Sequence, residues 1–187
     1  MRRIEMALPG VVVFEPVVHE DARGWFAETY RASLLAEWGI HDRFVQDNHS
    51  FSRGGVVRGL HYQLRRPQSK LCRVVRGEVL DVAVDIRRGS PTFGRWTAVR
   101  LSADNMRHMY LPPGYAHGFA VLSDGADMLY KCGDYYDAAD ARGIAWNDPG
   151  IGVDWEVCGP PTVSEADARW PRLADARPED LPAYGDA

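Results

Sequence analysis

The chain has 187 residues and a formal net charge of −4. This length suits one domain with a sizeable buried core, and we expect residues 1–187 to form it. The acidic balance argues against nucleic acid as a partner, because binding to a phosphate backbone normally needs a basic surplus. The N-terminus lacks the apolar run of a signal peptide and no stretch could span a bilayer. We therefore expect a cytoplasmic protein with no membrane partner.

The cysteines point to the same compartment. Cys72, Cys132 and Cys158 are an odd number at wide spacing, which fits neither a disulfide framework nor a zinc pattern. Free thiols of this kind favour a reducing environment.

The first third of the chain predicts short strands and one helix. Short apolar or alternating runs, interrupted by Gly and Pro, are typical of β-strands. The predicted strands here cover residues 11–14, 25–30, 44–48 and 56–63. Between them, residues 31–38 contain good helix formers and are followed by Gly39, which predicts a helix with a glycine stop.

The middle of the chain predicts a series of further strands. Residues 70–76 and 78–86 flank Gly77, which we expect to form a turn. Within residues 78–86, the apolar residues at positions 80, 82, 84 and 86 alternate with Val, Asp, Ala and Asp at positions 79, 81, 83 and 85. This period of 2 predicts a strand with two different faces. More strands are predicted at residues 96–101, 109–111, 118–122 and 128–132.

Towards the end of the chain, Ser164-Glu165-Ala166-Asp167 resembles a capping box, which predicts a short C-terminal helix. Many short strands in a chain of this size indicate an all-β sandwich or barrel with a few short peripheral helices.

Two histidines in strand-like segments are the first candidates for chemistry. His61 lies in Arg58-Gly59-Leu60-His61, and His117 follows the Pro112-Pro113-Gly114 turn. Arg58 is three residues from His61 and would face the opposite side of an ideal strand. Gly59 between them permits a bulge that would bring both side chains toward one cavity.

A neutral histidine can remove a proton from a carbon that lies beside a carbonyl, and a carboxylate behind the ring raises its basicity. Such a reaction also needs a group that stabilises an enolate and an acid on the opposite face. Lys70 and Tyr130 are candidates for these two roles. Each also has a plainer interpretation, because a lysine at a strand start is usually solvated and a strand tyrosine usually packs in the core.

Together, these segments resemble the dTDP-4-dehydrorhamnose 3,5-epimerase family over nearly the whole chain. The matching segments are residues 21–28 (DARGWFAE), 45–50 (VQDNHS), 55–63 (GVVRGLHYQ), 70–79 (KLCRVVRGEV), 81–87 (DVAVDIR), 90–94 (SPTFG), 113–119 (PGYAHGF), 130–131, 135–136, 146–149 (WNDP) and 164–167 (SEAD).

The resemblance implies a jelly-roll β-barrel of the cupin type and a homodimer that needs neither cofactor nor metal. The implied substrate is dTDP-4-keto-6-deoxy-D-glucose, a dTDP-4-keto-6-deoxyhexose converted toward dTDP-4-keto-L-rhamnose. By this likeness His61 is the base and is paired with Asp167, Tyr130 is the acid, and Lys70 steadies the enolate. The implied substrate-binding residues are Arg23, Glu28, Gln46, Asn48, Arg58, Lys70, His117 and Tyr136.

Two positions depart from the family pattern. Ala141 stands where many members carry a Glu, and Ala166 stands where a Lys often precedes the aspartate. Both departures put contacts with the nucleotide sugar in question and leave the acid–base set intact.

Three alternatives stay open. One is an epimerase that acts only at C3 or only at C5 of a related keto-sugar nucleotide. The second is a sugar-binding cupin without catalysis. The third is a metal-dependent cupin oxygenase, which is disfavoured because Gln63 stands where the second histidine of a His-x-His pair is needed.

Overall fold

The computed structural model describes residues 1–185. The strands are β1 (Arg2–Glu5), β2 (Val12–Glu15), β3 (Val18–Asp21), β4 (Gly24–Ala27), β5 (Gln46–Arg53), β6 (Val57–Gln63), β7 (Lys70–Arg76), β8 (Glu78–Asp85), β9 (Trp96–Ser102), β10 (His108–Leu111), β11 (Tyr115–Val121), β12 (Gly125–Cys132) and β13 (Ala141–Gly143). Helix α1 spans Ala32–Glu37, and 3₁₀ turns span Asp167–Arg169, Leu173–Asp175 and Pro178–Asp180.

The strands form two large antiparallel sheets and one hairpin. The six-stranded sheet has the order β1-β2-β10-β7-β12-β5, and the five-stranded sheet has the order β13-β6-β11-β8-β9. Strands β3 and β4 pair only with each other. This arrangement confirms the predicted all-β sandwich with a few short peripheral helices.

Strand β8 shows why the two sheets pack as they do. Its alternate residues Val79 and Ala83 face the interior and pack with Met109 and Met128 of the opposite sheet. The other face of β8, including Val82, packs under the C-terminal segment. Burying a valine or methionine side chain contributes about 1.5–3 kcal/mol, so this strand is stabilised from both faces. The predicted two-faced character of β8 is thereby explained.

Helix α1 covers only part of the six-stranded sheet. Leu35 and Trp38 pack on its outer face, where the Trp38 ring stacks on Phe14 with centroids 5.2 Å apart. The helix ends before Gly39, whose φ of +81° is the left-handed conformation that glycine tolerates best. The predicted glycine stop is confirmed.

The C-terminal helix is shorter than predicted. The Asp167 amide donates to Ser164 Oγ at 3.0 Å, as a capping residue requires, but only one 3₁₀ turn follows. Pro171 is the reason, because the residue before a proline is driven into an extended conformation, and Trp170 has ψ of 143°.

Some strand bounds also differ from the prediction. The strand expected at residues 25–30 ends at Ala27, and the one expected at 44–48 begins at Gln46 and continues to Arg53. The short strands β1, β3 and β13 were not predicted, since their residues are largely charged and lack the apolar run that marks a strand. Within residues 1–185, no helix has both the length and the apolar character needed to cross a membrane.

Candidate active site

A cavity of about 430 Å³ opens between the two sheets. His61 and Gln63 of β6 line it from the five-stranded sheet. Asn48, Lys70 and Tyr130 line it from the six-stranded sheet. The predicted base and the predicted acid therefore lie on opposite walls of one cavity.

His61 is paired with a carboxylate that comes from a distant part of the chain. Its Nε2 lies 2.6 Å from Asp167 Oδ1. The His61 side chain is 45% exposed, whereas that of Asp167 is 6% exposed, so the ring faces the cavity and the carboxylate stands behind it. Burial raises the pKa of Asp167, but hydrogen bonds from His61, the Gly59 amide and Ser164 outweigh it and hold that pKa below its usual value. Asp167 is thus an anion that orients the imidazole.

A bulge in β6 brings Arg58 and His61 to the same side. His117 on β11 pairs with His61, and two residues further along β11 Phe119 pairs with Arg58, so β6 carries one extra residue. Gly59 makes this possible. Its φ is +128°, and a Cβ there would lie 2.6 Å from the Gly118 Cα. The predicted bulge is confirmed, and both side chains line a second cavity of about 480 Å³ beside Asp167.

Tyr130 and Lys70 lie on adjacent strands of the opposite wall. Burial, with smaller contributions from Cys132 and Cys72, raises the pKa of the Tyr130 phenol, so the group keeps its proton at neutral pH. Lys70 makes no ion pair within 4 Å with any residue from 1 to 185. A protonated phenol and an uncommitted ammonium can serve as an acid and as a partner for a negative oxygen.

Gln46, Asn48 and Tyr136 form one polar end of the cavity. Gln46 Nε2 donates to Asn48 Oδ1 at 3.0 Å, and Gln46 Oε1 accepts from the Tyr136 amide at 2.9 Å. These bonds fix the backbone at Tyr136 and leave its side chain 60% exposed. A free aromatic face of this kind can stack on a planar base.

Arg58 is held in place from the six-stranded sheet. Its Nε donates to Ser52 Oγ at 2.9 Å, and its Nη2 donates to the Phe51 carbonyl at 3.3 Å. The rest of the guanidinium is free to meet an anion at the second cavity.

His117 lies behind the site, beside His61 in the sheet. Its Nε2 lies 2.7 Å from Asp81 Oδ1 and 3.7 Å from Cys72 Sγ, and its side chain is only 7% exposed. Burial lowers the pKa of His117 and so keeps its ring neutral, although the Asp81 carboxylate opposes that shift. Among residues 1–185, these three side chains form the one cluster of metal-ligating type, with ligand atoms within 4.8 Å of one another.

Arg23 and Glu28 do not reach this cavity within one chain. Arg23 lies on the β3–β4 hairpin, is exposed, and pairs with Asp21. Glu28 lines a separate cavity of about 410 Å³ with Arg73 and Lys131, on the outer face of the six-stranded sheet. Neither residue lines the cavity that contains His61, so their predicted contact with the nucleotide sugar stays a prediction.

Several cavity residues were not predicted. Gln63, Gln68, Cys132, Arg142 and Trp170 also line the cavity. Gln63 closes the GLHYQ motif two residues after His61, and this spacing on a strand was a usable signal. Nothing in the local sequence singles out the other four. Ala141 and Ala166, the two departures, lie in the cavity wall as well.

Comparison with known proteins agrees with this geometry. Residues 5–175 match the family model described as dTDP-4-dehydrorhamnose 3,5-epimerase. A dTDP-4-dehydrorhamnose 3,5-epimerase of Pseudomonas aeruginosa is 51% identical over 177 residues, which are 94% of this chain and 98% of the relative.

Solved structures of similar proteins can be superimposed on nearly the whole chain. A dTDP-6-deoxy-D-glucose-3,5-epimerase from Legionella pneumophila, in complex with dTDP-4-keto-L-rhamnose, superimposes with a TM-score of 0.95 at 46% identity and covers 98% of each chain. A 3'-monoepimerase from Streptomyces bikiniensis, in complex with dTDP-quinovose, gives a TM-score of 0.90 at 38% identity, covering 95% of this chain and 91% of the other. The chain belongs to the dTDP-4-dehydrorhamnose 3,5-epimerase family.

Proposed function

We propose that the protein inverts C3 and C5 of dTDP-4-keto-6-deoxy-D-glucose to give dTDP-4-keto-L-rhamnose, with His61 as base and Tyr130 as acid. The observation that carries this proposal is the cavity itself. A histidine–aspartate pair with a 2.6 Å contact faces it from one sheet, and Tyr130 and Lys70 face it from the other. The 51% sequence identity to a dTDP-4-dehydrorhamnose 3,5-epimerase, over 94% of this chain, supports the same activity.

The C4 ketone makes the hydrogens on C3 and C5 acidic. Asp167 holds the His61 Nε2–H, which leaves the Nδ1 lone pair to take the proton from carbon. The electron pair of the broken C–H bond moves to the C4 oxygen, and the resulting enolate is met by the Lys70 ammonium. Tyr130 then gives its phenolic proton to the same carbon from the opposite face, and the carbon is inverted.

The proton balance is closed by solvent. After one inversion His61 carries an extra proton and Tyr130 lacks one, so both must exchange with water before or during the second inversion. His61 borders both the main cavity and the cavity beside Arg58, which gives it two openings for this exchange.

The nucleotide is bound by residues that surround this centre. Tyr136 stacks on the thymine, Gln46 and Asn48 donate and accept hydrogen bonds, and Arg58 meets the pyrophosphate. His117 does not line the cavity, so its predicted contact with the sugar stays a prediction.

A homodimer accounts for the placement of Arg23 and Glu28. Trp25 and Phe26 on the same hairpin are 61% and 69% exposed, and Phe51 on the outer face of the six-stranded sheet is 49% exposed. Large exposed aromatic side chains in one region mark contact surfaces. We expect a second copy to cover them and to bring Arg23 and Glu28 to the nucleotide. The free thiols of Cys72, Cys132 and Cys158 support a cytoplasmic location.

Incubation with dTDP-4-keto-6-deoxy-D-glucose in D₂O, followed by NMR, tests the proposal. Deuterium at both C3 and C5, with the L-rhamno product, is the expected result. Label at only one carbon would assign the protein to the single-site epimerases. The features that favour this second candidate are Ala141 and Ala166, which lie in the cavity wall. Absence of label at both C3 and C5 would refute the assignment of His61 as the base.

A further inference from the structure

Asp81 is a buried carboxylate that the mechanism above does not use. It is 0% exposed and lies on the interior face of β8. Its Oδ1 contacts His117, but its Oδ2 has no hydrogen-bond partner among residues 1–185. A buried anionic oxygen without a partner is costly, so its presence calls for a compensating charge.

Lys70 is the cation that fits this requirement. Lys70 and Cys72 are two residues apart on β7 and therefore face the same side of the sheet, and Cys72 Sγ lies 3.7 Å from His117 Nε2, so Lys70 is on the side of this cluster. The Lys70 ammonium and the Asp81 carboxylate are more than 4 Å apart, because no ion pair forms between them in the described part of the chain. Opposite charges that are more than 4 Å apart still attract each other when little water lies between them.

His117 connects Asp81 to the substrate side. A carboxylate at Nε2 fixes the hydrogen on that nitrogen and leaves Nδ1 as an acceptor. Asp81 does not line the main cavity, and neither does His117, whose neighbour in the sheet, His61, does. Any effect of Asp81 on the reaction must therefore pass through His117 and Lys70.

We propose that Asp81 is a positioning residue, which holds His117 as the Nε2–H tautomer and supplies the buried negative charge that keeps the Lys70 ammonium at the enolate. This inference rests on the proposed epimerase function, in which Lys70 steadies the enolate oxygen. It distinguishes Asp81 from Asp167, whose partner His61 takes the proton.

The variant Asp81→Asn tests the charge, because the amide oxygen can still accept from His117. We expect kcat for deuterium exchange to fall about 10- to 100-fold, the range known for loss of the carboxylate behind a metal-bound histidine, while KM changes less than about 3-fold. Asp85→Asn is the matched control. Asp85 is equally buried on the same strand, but it accepts from Arg87, Ser90 and Thr92 instead of a histidine. Asp85→Asn should lose stability and keep kcat in the folded fraction.

A second comparison shows whether Asp81 acts through Lys70. In a Lys70→Met background, Asp81→Asn should lower the residual exchange by less than about 2-fold, since the charge that it offsets is gone. An undiminished effect in that background, or an equal loss of kcat in Asp81→Asn and Asp85→Asn, would overturn the proposal.

The tautomer is measured without substrate. Nitrogen-15 NMR of the ring nitrogens should show His117 with its hydrogen on Nε2 in the folded wild-type protein, and a mixture in Asp81→Asn. A hydrogen on Nδ1 in the wild type would overturn the proposal even if Asp81→Asn fails to fold. Failure of the proposed function appears elsewhere, as wild-type protein that exchanges no deuterium.

Discussion

Two histidine–aspartate pairs lie side by side on the five-stranded sheet, and they differ in access. His61 and Asp167 are 2.6 Å apart, and His117 and Asp81 are 2.7 Å apart. The His61 side chain is 45% exposed, whereas that of His117 is 7% exposed. The two rings belong to directly paired residues of β6 and β11. The two pairs therefore contain the same groups, but of the two rings it is that of His61 that lines the cavity.

The difference arises from where each carboxylate comes from. Asp81 lies on β8, the neighbour of β11, so its histidine is enclosed by the sheet and the core. Asp167 reaches His61 from a 3₁₀ turn outside the sheet, and this leaves one face of the ring open to the cavity. Access to the cavity, rather than the presence of an aspartate, therefore distinguishes the two rings.

The largest effect is expected from His61→Ala. Without the base, deuterium exchange should fall by about 10³-fold or more, because general-base catalysis typically contributes 10²–10⁴-fold. Nucleotide binding, measured by calorimetry with dTDP, should persist, since a base acts mainly in the transition state. His49→Ala is the control, because His49 also pairs with an aspartate, Asp127 at 2.9 Å, but on an exposed surface. Equal loss in both variants would remove the distinction between the pairs.

Tyr130→Phe tests the wall opposite His61. Proton removal should continue, so some solvent deuterium still enters the substrate, while formation of the inverted product falls about 10²-fold. Tyr110→Phe is the matched control, because Tyr110 is also buried and donates to Asp42 at 2.6 Å away from the cavity. Equal losses of exchange and product in Tyr130→Phe would argue against its role as the acid.

Asp167→Asn tests whether the charge of the carboxylate behind His61 is needed. The amide keeps the shape and loses the charge, so His61 becomes a weaker and less well oriented base, and exchange should fall about 10²-fold. Asp148→Asn serves as control, since Asp148 is also buried and accepts from the amides of Gly150 and Leu173. The rate of deuterium exchange into the substrate is measured for folded protein of both variants. A rate in Asp167→Asn within 3-fold of wild type would contradict the pairing.

His108 provides a buried histidine that lacks an aspartate. Burial, aided by Arg73, lowers its pKa to about 4 from 6.5. The unfolded chain binds a proton below pH 6.5 that the folded protein refuses, so stability is complete above that pH and falls as the pH drops toward 4. The loss between pH 7 and pH 5 should be about 2 kcal/mol. Urea unfolding of wild type and His108→Gln at both pH values measures it, and equal pH dependence in the two would contradict the assignment.

Much of the fold was predictable from local pattern. The alternating run in β8 is a periodicity that a few adjacent residues reveal. Gly39 and Gly77 adopt positive φ angles, which the presence of glycine in the sequence already suggests. Gly59 likewise predicted the bulge that turns Arg58 toward the side of His61. The length of the last helix was missed because the Ser164 cap was weighed without Pro171.

The site was less accessible to local reasoning. Asp167 looked like a helix cap, and only the family resemblance gave it a second role, because the contact with His61 joins residues 106 positions apart. Asp81 looked like one polar residue on a two-faced strand, and its burial against His117 depends on the packing of three strands. The roles assigned to these residues stay predictions until the variants are measured.

The contact between His61 and Asp167 joins the strand that carries the imidazole to a segment outside both sheets. Asp167 lies in a 3₁₀ turn, and the segment that follows packs through Leu173 and Leu181 against the five-stranded sheet. The orientation of the imidazole therefore depends on packing that lies outside the cavity as well as on the strand that carries the ring.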